Sequence, residues 1–296
     1  MQLQGPRLCP LVRFVHARCG VESKEVAAGF VAQRLRGNQL QELADVVRTN
    51  SPAIIESLAP SAAGSSQPLL QRIRAASGFR EIPVRLRRSE VNASDATFGD
   101  ARKAALYSSS ELWRVYRVVD ELVNAGEVGP RCYGANIPLE ARLPEVAAEL
   151  LPLMEKVEGL AKQVRLGGAV PLTPSLYFGA GGQRTPLHFD PTENITVCLQ
   201  GEKFYRLFPP SDAAGLQPRG GLLPSLGCRV SGVVPAVYSD LDAWAFTSPD
   251  DAFQRIGVRY IDIHLIEGEA MYLPAAWWHA TGGSREPNVS VVFGFE

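Results

Sequence analysis

Histidine is scarce in this chain of 296 residues: there are four, His16, His188, His264 and His279. One opens the triplet His188-Phe189-Asp190 inside "TPLHFD", and another closes "YLPAAWWH". On a β-strand, residues two apart point to the same face, so His188 and Asp190 can aim an imidazole and a carboxylate at one ion. A further imidazole from another strand completes a two-histidine, one-carboxylate set, which leaves three adjacent positions open on an octahedral Fe(II). Two neutral rings and one carboxylate leave the ion net positive, suited to an anionic chelator with an oxidant beside it. Lys203 follows beyond an apolar run in "NITVCLQGEKFYRLFPP". A buried lysine needs a negative partner to remain charged. Each signal is ordinary alone, since a lone buried histidine is usually a core residue and most lysines snorkel to the surface.

The elements that must position these residues read as β from Pro174 onward. Candidate strands are "SLYFG", "TPLHFD", "NITVCLQ", "KFYRLF", "RYIDIHLI", "AMYLP" and "NVSVVFGF", separated by Gly, Pro, Asn and Asp clusters. "NITVCLQ-GE-KFYRLFPP" predicts a tight hairpin turning at Gly201-Glu202. That turn places Thr196, Cys198, Lys203 and Tyr205 on one face. The front of the chain is helical in rhythm. Ser23 caps an expected helix carrying Val26, Phe30, Val31 and Leu35 and ending at Gly37, and Gln39 to Val47 form a second. "SELWRVYRVVDELVNA" predicts a third, with Leu112, Val115, Tyr116, Val119 and Val123 on one stripe and Gly126 as its stop. "LPEVAAELLPLMEKV" predicts another, with Pro152 inside it or ending it. "PAIIES" and "IPVRLRR" are expected strands, joined by the loop "APSAAGSSQP". The arginines at 72, 74, 80, 85, 87 and 88 read as the solvated face of a half-exposed strand and helix. His264 reads as structural. Many short strands after a helical front end predict a mainly β sandwich or barrel with helices packed outside.

Composition bounds the partners. Apolar residues make up 46% and charged residues 21%, with a net charge of −1, so no overall field draws the chain to nucleic acid or membrane. No apolar run spans a bilayer. Five cysteines, Cys9, Cys19, Cys132, Cys198 and Cys228, with no C-x-x-C pair, argue for a reducing compartment and against a structural zinc cluster. The expected location is cytoplasmic or nuclear. The arginine-bearing first 20 residues resemble a transit peptide but read as a short tail, because Pro6 and Pro10 spoil an amphipathic helix.

Taken together, "TPLHFD", Lys203, "LFPP" and "GEAMYLPAAWWH" resemble the JmjC-domain, cupin-like Fe(II)- and 2-oxoglutarate-dependent oxygenases. Among these the chain is most similar to the small hydroxylase branch, which includes the JmjC lysyl hydroxylases. The resemblance is clearest from about residue 131 to 296. It implies a double-stranded β-helix, the cupin/JmjC jelly roll, with the N-terminal helices outside. The expected organisation is a tail over 1–21, an integral helical front end over 22–165 and a catalytic core over 166–296. By resemblance, His188, Asp190 and His279 hold iron. Lys203, Thr185 and Tyr133 take the far carboxylate of 2-oxoglutarate. The family's "YLQQ" reads "YGAN" here, which leaves the substrate side open around Gly134 to Asn136. The activity implied is hydroxylation of a protein or peptide side chain with O2, decarboxylating 2-oxoglutarate to succinate and CO2. The rivals are a JmjC lysine demethylase, an RNA-directed hydroxylase of the same fold and a non-catalytic metal-binding cupin. The chain ends one residue after its last expected strand, so dimerisation through C-terminal helices is not expected.

Overall fold

A computed structural model describes residues 32–36, 38–60, 67–87, 108–124, 131–168, 170–179, 182–217, 237–245, 249–284 and 286–296. The strands of the first half are β1 (Gln33–Arg36), β2 (Ala53–Glu56), β3 (Glu81–Arg87), β4 (Ser108–Arg114) and β5 (Cys132–Pro138). Those of the second half are β6 (Ser175–Gly179), β7 (His188–Phe189), β8 (Glu193–Gln200), β9 (Glu202–Phe208), β10 (Val237–Tyr238), β11 (Ile261–Ile266), β12 (Ala270–Leu273), β13 (Trp278–Gly283) and β14 (Asn288–Phe295). They form two sheets. The larger runs β1-β2-β12-β8-β14-β6-β5-β3-β4, and the smaller runs β10-β7-β13-β9-β11.

Alternation along the strands decides how these sheets are covered. Ile82, Val84, Leu176, Phe178, Ile195, Val197, Val289 and Val291 point from one face of the large sheet into the main core. That core is closed by α1 (Leu40–Arg48), α2 (Leu69–Ser77), α3 (Val115–Val123), the short α4 (Leu139–Arg142) and α5 (Pro144–Val164). The other face of the large sheet meets the small sheet through Ile54, Cys198, Met271, Tyr205, Leu207 and Ile263. The outer face of the small sheet packs Phe189, Phe208, Trp278 and Ala280 against Leu216, Val258 and Phe253 of α6 (Pro249–Arg255). The result is a mainly β jelly roll with helices outside. Among the described residues no helix is long and apolar enough to cross a membrane.

Several sequence expectations change. β8 and β9 do not form a hairpin. Both edges of β8 are taken, by β12 and β14, so β9 has no place beside it. The chain instead crosses to the other sheet at Gly201, where φ is 73° and an added Cβ would lie 2.7 Å from the Pro287 carbonyl oxygen. Six successive buried residues, Asn194 to Leu199, mark β8 as a central strand covered on both faces. The expected shared face survives by a different route: Thr196, Cys198, Lys203 and Tyr205 are all buried and meet across the gap between the sheets.

Leu112 lies on β4, because residues 108–114 pair along β3 and the helix begins only at Val115. Leu35 lies on β1 rather than a helix, paired in parallel with Ile55. Val26, Phe30, Val31 and Gly37 of that expected helix, the N-terminal tail and residues 61–66 of the expected loop lie outside the described residues, as do Arg88 and Gly126. α5 continues through Pro152, whose exposed position lets the carbonyl it frees reach water. The "TPLHFD" strand shortens to two residues, and β13, which carries His279, was not among the expected strands.

Candidate metal centre

β7 and β13 run antiparallel in the small sheet with His188 and His279 as direct partners. Cross-strand partners share a face, so residues distant in the chain become neighbours with ring centroids 4.2 Å apart. Asp190 follows β7 directly, and its carbonyl accepts from the Ala276 N–H at 2.9 Å, which ties the two ligand-bearing segments together. The ligand atoms of His188, Asp190 and His279 all lie within 4.8 Å of one another, with His279 Nε2 3.9 Å from Asp190 Oδ2.

The surroundings set the chemical state of these groups. His188 Nδ1 lies 2.7 Å from the Pro186 carbonyl oxygen and His279 Nδ1 lies 3.1 Å from that of Trp277. A carbonyl only accepts, so each Nδ1 carries the proton and each Nε2 keeps its lone pair for an ion. Burial, with His188 alongside, pushes the His279 imidazole down to about 4 and keeps it neutral, as a ligand must be. Asn194 Nδ2 donates to Asp190 Oδ2 at 3.1 Å. Trp277 Nε1 donates to the Asn50 carbonyl oxygen at 2.8 Å, and Ala276 adopts φ 67°, so the turn before His279 is pinned from the large-sheet side. Phe189 and Trp278, the alternate residues, pack edge to face on the outer side at 4.9 Å.

Deeper between the sheets lies Lys203, 3% exposed. Its Nζ donates to Ser290 Oγ at 2.8 Å and sits 4.9 Å from the ring centre of Tyr177 and 5.8 Å from that of Tyr205. Ser290 is the cross-strand partner of both Cys198 and Tyr177. Burial raises the Cys198 thiol to about 12, so it offers no counter-charge. Among the described residues no carboxylate forms an ion pair with Lys203, and desolvation lowers its ammonium to about 8. Thr185 Oγ1 lies 2.7 Å from Thr281 Oγ1 and accepts from the Thr281 N–H at 3.0 Å. Thr281 is two residues beyond His279 on the same strand face. Tyr133 is buried against Tyr177 with ring centres 6.3 Å apart, and burial raises its phenol. The Tyr177 hydroxyl donates to Asn136 Oδ1, where a bulge in β5 turns Asn136 to φ 51°.

His188, Asp190 and His279 thus converge, and Lys203, Thr185 and Tyr133 all lie on the same interior of the roll. His264 lies elsewhere, exposed on the outer face, stacked on Phe204 and 3.1 Å from Glu202 Oε2. Sequence reasoning missed Asn194, Thr281, Tyr177 and Tyr238. Tyr238 pairs with His188 from β10 and stacks on its ring at 5.6 Å. A weak signal existed for Asn194, a polar side chain inside a strand otherwise buried throughout. None existed for Tyr238, whose two-residue strand has no pattern.

Comparison with known proteins agrees with this architecture. A family model described as a cupin-like domain matches residues 39–296. The chain is similar to Lysine-specific demethylase JMJ30 of Arabidopsis thaliana, 31% identical over 134 residues, which are 43% of this chain and 28% of that protein. It is also similar to Lysine-specific demethylase 8 of Danio rerio, 28% identical over 149 residues, 48% of this chain and 34% of that protein. HSPB1-associated protein 1 of Mus musculus is 30% identical over 118 residues, 40% of this chain and 22% of that protein. The matched stretches therefore span about a third or less of these relatives' own length. The chain belongs to the cupin-like domain family, alongside relatives named for the JmjC domain.

Proposed function

We propose that the chain is an Fe(II)- and 2-oxoglutarate-dependent dioxygenase that hydroxylates a side chain of a protein substrate. One observation carries this reading. Two histidines and one carboxylate share the interior of the roll with a buried ammonium that has no carboxylate partner among the described residues. The donor set fits Fe(II), and the unbalanced cation fits the far end of a dicarboxylate.

The chain's own residues then have defined work. His188 and His279 present Nε2 because the Pro186 and Trp277 carbonyls hold their Nδ1 protons. Asp190 supplies the anionic ligand and is oriented by Asn194. Lys203 and Ser290, with the hydroxyls of Thr185 and Tyr133, receive the distal carboxylate, and an anion there restores the ammonium that burial weakens. Tyr177 and Tyr205 wall the pocket and limit water. Iron and 2-oxoglutarate, when bound, supply oxidative decarboxylation coupled to insertion of an oxygen atom from O2.

A demethylase reading draws support from relatives named as lysine-specific demethylases. Turnover of a peptide library with Fe(II), ascorbate and 2-oxoglutarate, read by mass spectrometry, separates the two. Gain of one oxygen on an unmethylated peptide is the expected result. Formaldehyde from methyl-lysine peptides, without oxygen gain on any unmethylated one, overturns the hydroxylase assignment in favour of demethylation.

A further inference from the structure

The arginines that look alike along residues 72–88 part company in the structure. Arg72, Arg74 and Arg80 belong to the helical layer and meet Glu149, Asp120 and Glu145 there. Arg85 goes the other way. Its neighbours Ile82 and Val84 point into the main core, so Glu81, Pro83, Arg85 and Arg87 take the opposite face of β3. The register sets Arg85 directly beside Tyr133 of β5, and Tyr133 lines the proposed cosubstrate pocket. This face is open on the β4 side, where Leu112, the partner of Pro83, is 54% exposed. Arg114, opposite Glu81, is exposed as well. Among the described residues the open face therefore carries three arginines, Arg85, Arg87 and Arg114, against one glutamate, Glu81. Among the described residues Arg85 forms no ion pair with a carboxylate.

We propose that this face of β3, β4 and β5 docks the stretch of polypeptide substrate next to the target residue and selects acidic side chains in it. Arg85 is the specificity-determining residue, and Leu112 with Pro83 forms the apolar seat. The inference rests on the reading of the metal centre as one that acts on a polypeptide. Continuity supports it: the row Arg85–Tyr133 leads to Tyr177, whose hydroxyl donates to Asn136 and whose ring centre lies 4.9 Å from Lys203 Nζ. Arg85 is two strand spacings from β6, about 10 Å, which about three residues of extended chain cover. An acidic side chain about that far from the target residue meets the guanidinium in a charge-assisted pair. A peptide fits this face better than a nucleic-acid strand, because Glu81 repels phosphate and Leu112 and Pro83 offer an apolar floor.

The test uses the full chain and two pools of short fluorescent peptides, identical except that Asp and Glu in one are Asn and Gln in the other. Binding is read by anisotropy, without turnover. The acidic pool is expected to bind about tenfold tighter, a difference of about 1.4 kcal/mol. Arg85→Glu should abolish that preference and transfer it to a lysine-bearing pool, and Leu112→Ser should weaken both pools about threefold. Unchanged melting and Mn(II) binding in the variants certify their fold. Equal binding of the two pools, or an Arg85→Glu protein that keeps the preference, overturns the proposal. So does tighter, Arg85-dependent binding of a single-stranded oligonucleotide, or a Leu112-dependent dimer in light scattering. Protection of Arg85 from phenylglyoxal in the free full chain also overturns it, by showing the face covered by the chain itself. Discrimination between the pools without any oxygen gain under turnover conditions sinks the hydroxylase reading and leaves the docking face standing. Oxygen gain without discrimination does the reverse.

Discussion

Two cations stand three residues apart on β9 and are buried on opposite faces of it. Arg206, 7% exposed, points outward. Its guanidinium donates to both oxygens of Asp262 at 2.7 and 2.6 Å and to the Ala243 carbonyl oxygen at 2.8 Å. The rings of Trp244, Phe253 and Tyr260 surround it at 5.1, 5.6 and 4.8 Å. Lys203 points inward and has one hydroxyl and two aromatic faces. Arg206 is complete: its charge is matched, and its role is to fasten the small sheet to the layer outside it. Lys203 is buried with no carboxylate among the described residues to offset its charge. A buried cation of that kind is a candidate anion-binding group.

The comparison breaks most readily at Lys203. Replacing it with Met should reduce 2-oxoglutarate affinity roughly 10²- to 10⁴-fold, since removing one side of a buried charge pair costs about 3–5 kcal/mol. Melting without ligand should stay level or rise. Calorimetric titration alongside thermal melts reads both quantities, and normal affinity in the variant would move the anion site elsewhere. Arg206→Met should show the mirror image. Loss of its pair and its aromatic packing should lower unfolding free energy by about 2–4 kcal/mol, with affinity for 2-oxoglutarate in the folded protein within about twofold of wild type. A denaturant melt combined with the same titration checks it.

A third expectation concerns pH. In the ligand-free protein Lys203 holds its proton only up to about pH 8. Affinity for the dicarboxylate should therefore fall by about tenfold per pH unit above 8, until the pKa of the bound state is reached. The sign for stability is opposite. The folded pKa lies below the ordinary lysine value, so between about 8 and 10.5 the unfolded chain holds more of this proton and the Lys203 contribution to stability rises with pH. Lys203→Met should flatten both slopes, and persistence of either would assign it to another group. The smallest effect is expected at Ser290→Ala. Loss of one hydrogen bond to a charged group should weaken 2-oxoglutarate about tenfold, while metal binding stays unchanged. An unaltered affinity would make Ser290 a resting partner of Lys203 only.

The contrast between these residues also shows what a sequence displays. His188 and Asp190 are legible because their relation is local, two positions on one segment. His279 is legible through the phrase that precedes it, although its strand β13 is not, since "WHATGG" carries no β alternation. Lys203 is legible as a lysine in an apolar context, but the hairpin drawn around it is wrong. A two-residue turn in sequence does not say whether the next strand pairs with the last or crosses to another sheet; the occupied edges of β8 decide that, and they are filled by β12 and β14, far away in the chain. The arginines show the same limit. Alternation separates Arg85 from Val84, yet only register places Arg85 beside Tyr133. Leu112 was misplaced because the helical period of α3 happens to extend backward by one turn into residues that β3 claims.

The pairing of His188 with His279 has a consequence for assembly. A growing chain that has passed β7 but not β13 owns only the H-x-D half of the centre, a two-point holder from which an ion readily escapes. Full retention arrives when β13 inserts between β7 and β9. That pairing closes a loop of about 90 residues, a non-local contact of the kind that forms late. On the proposed reading, redox-active iron would thereby be kept out of half-built protein, and metal capture would report that the roll has closed.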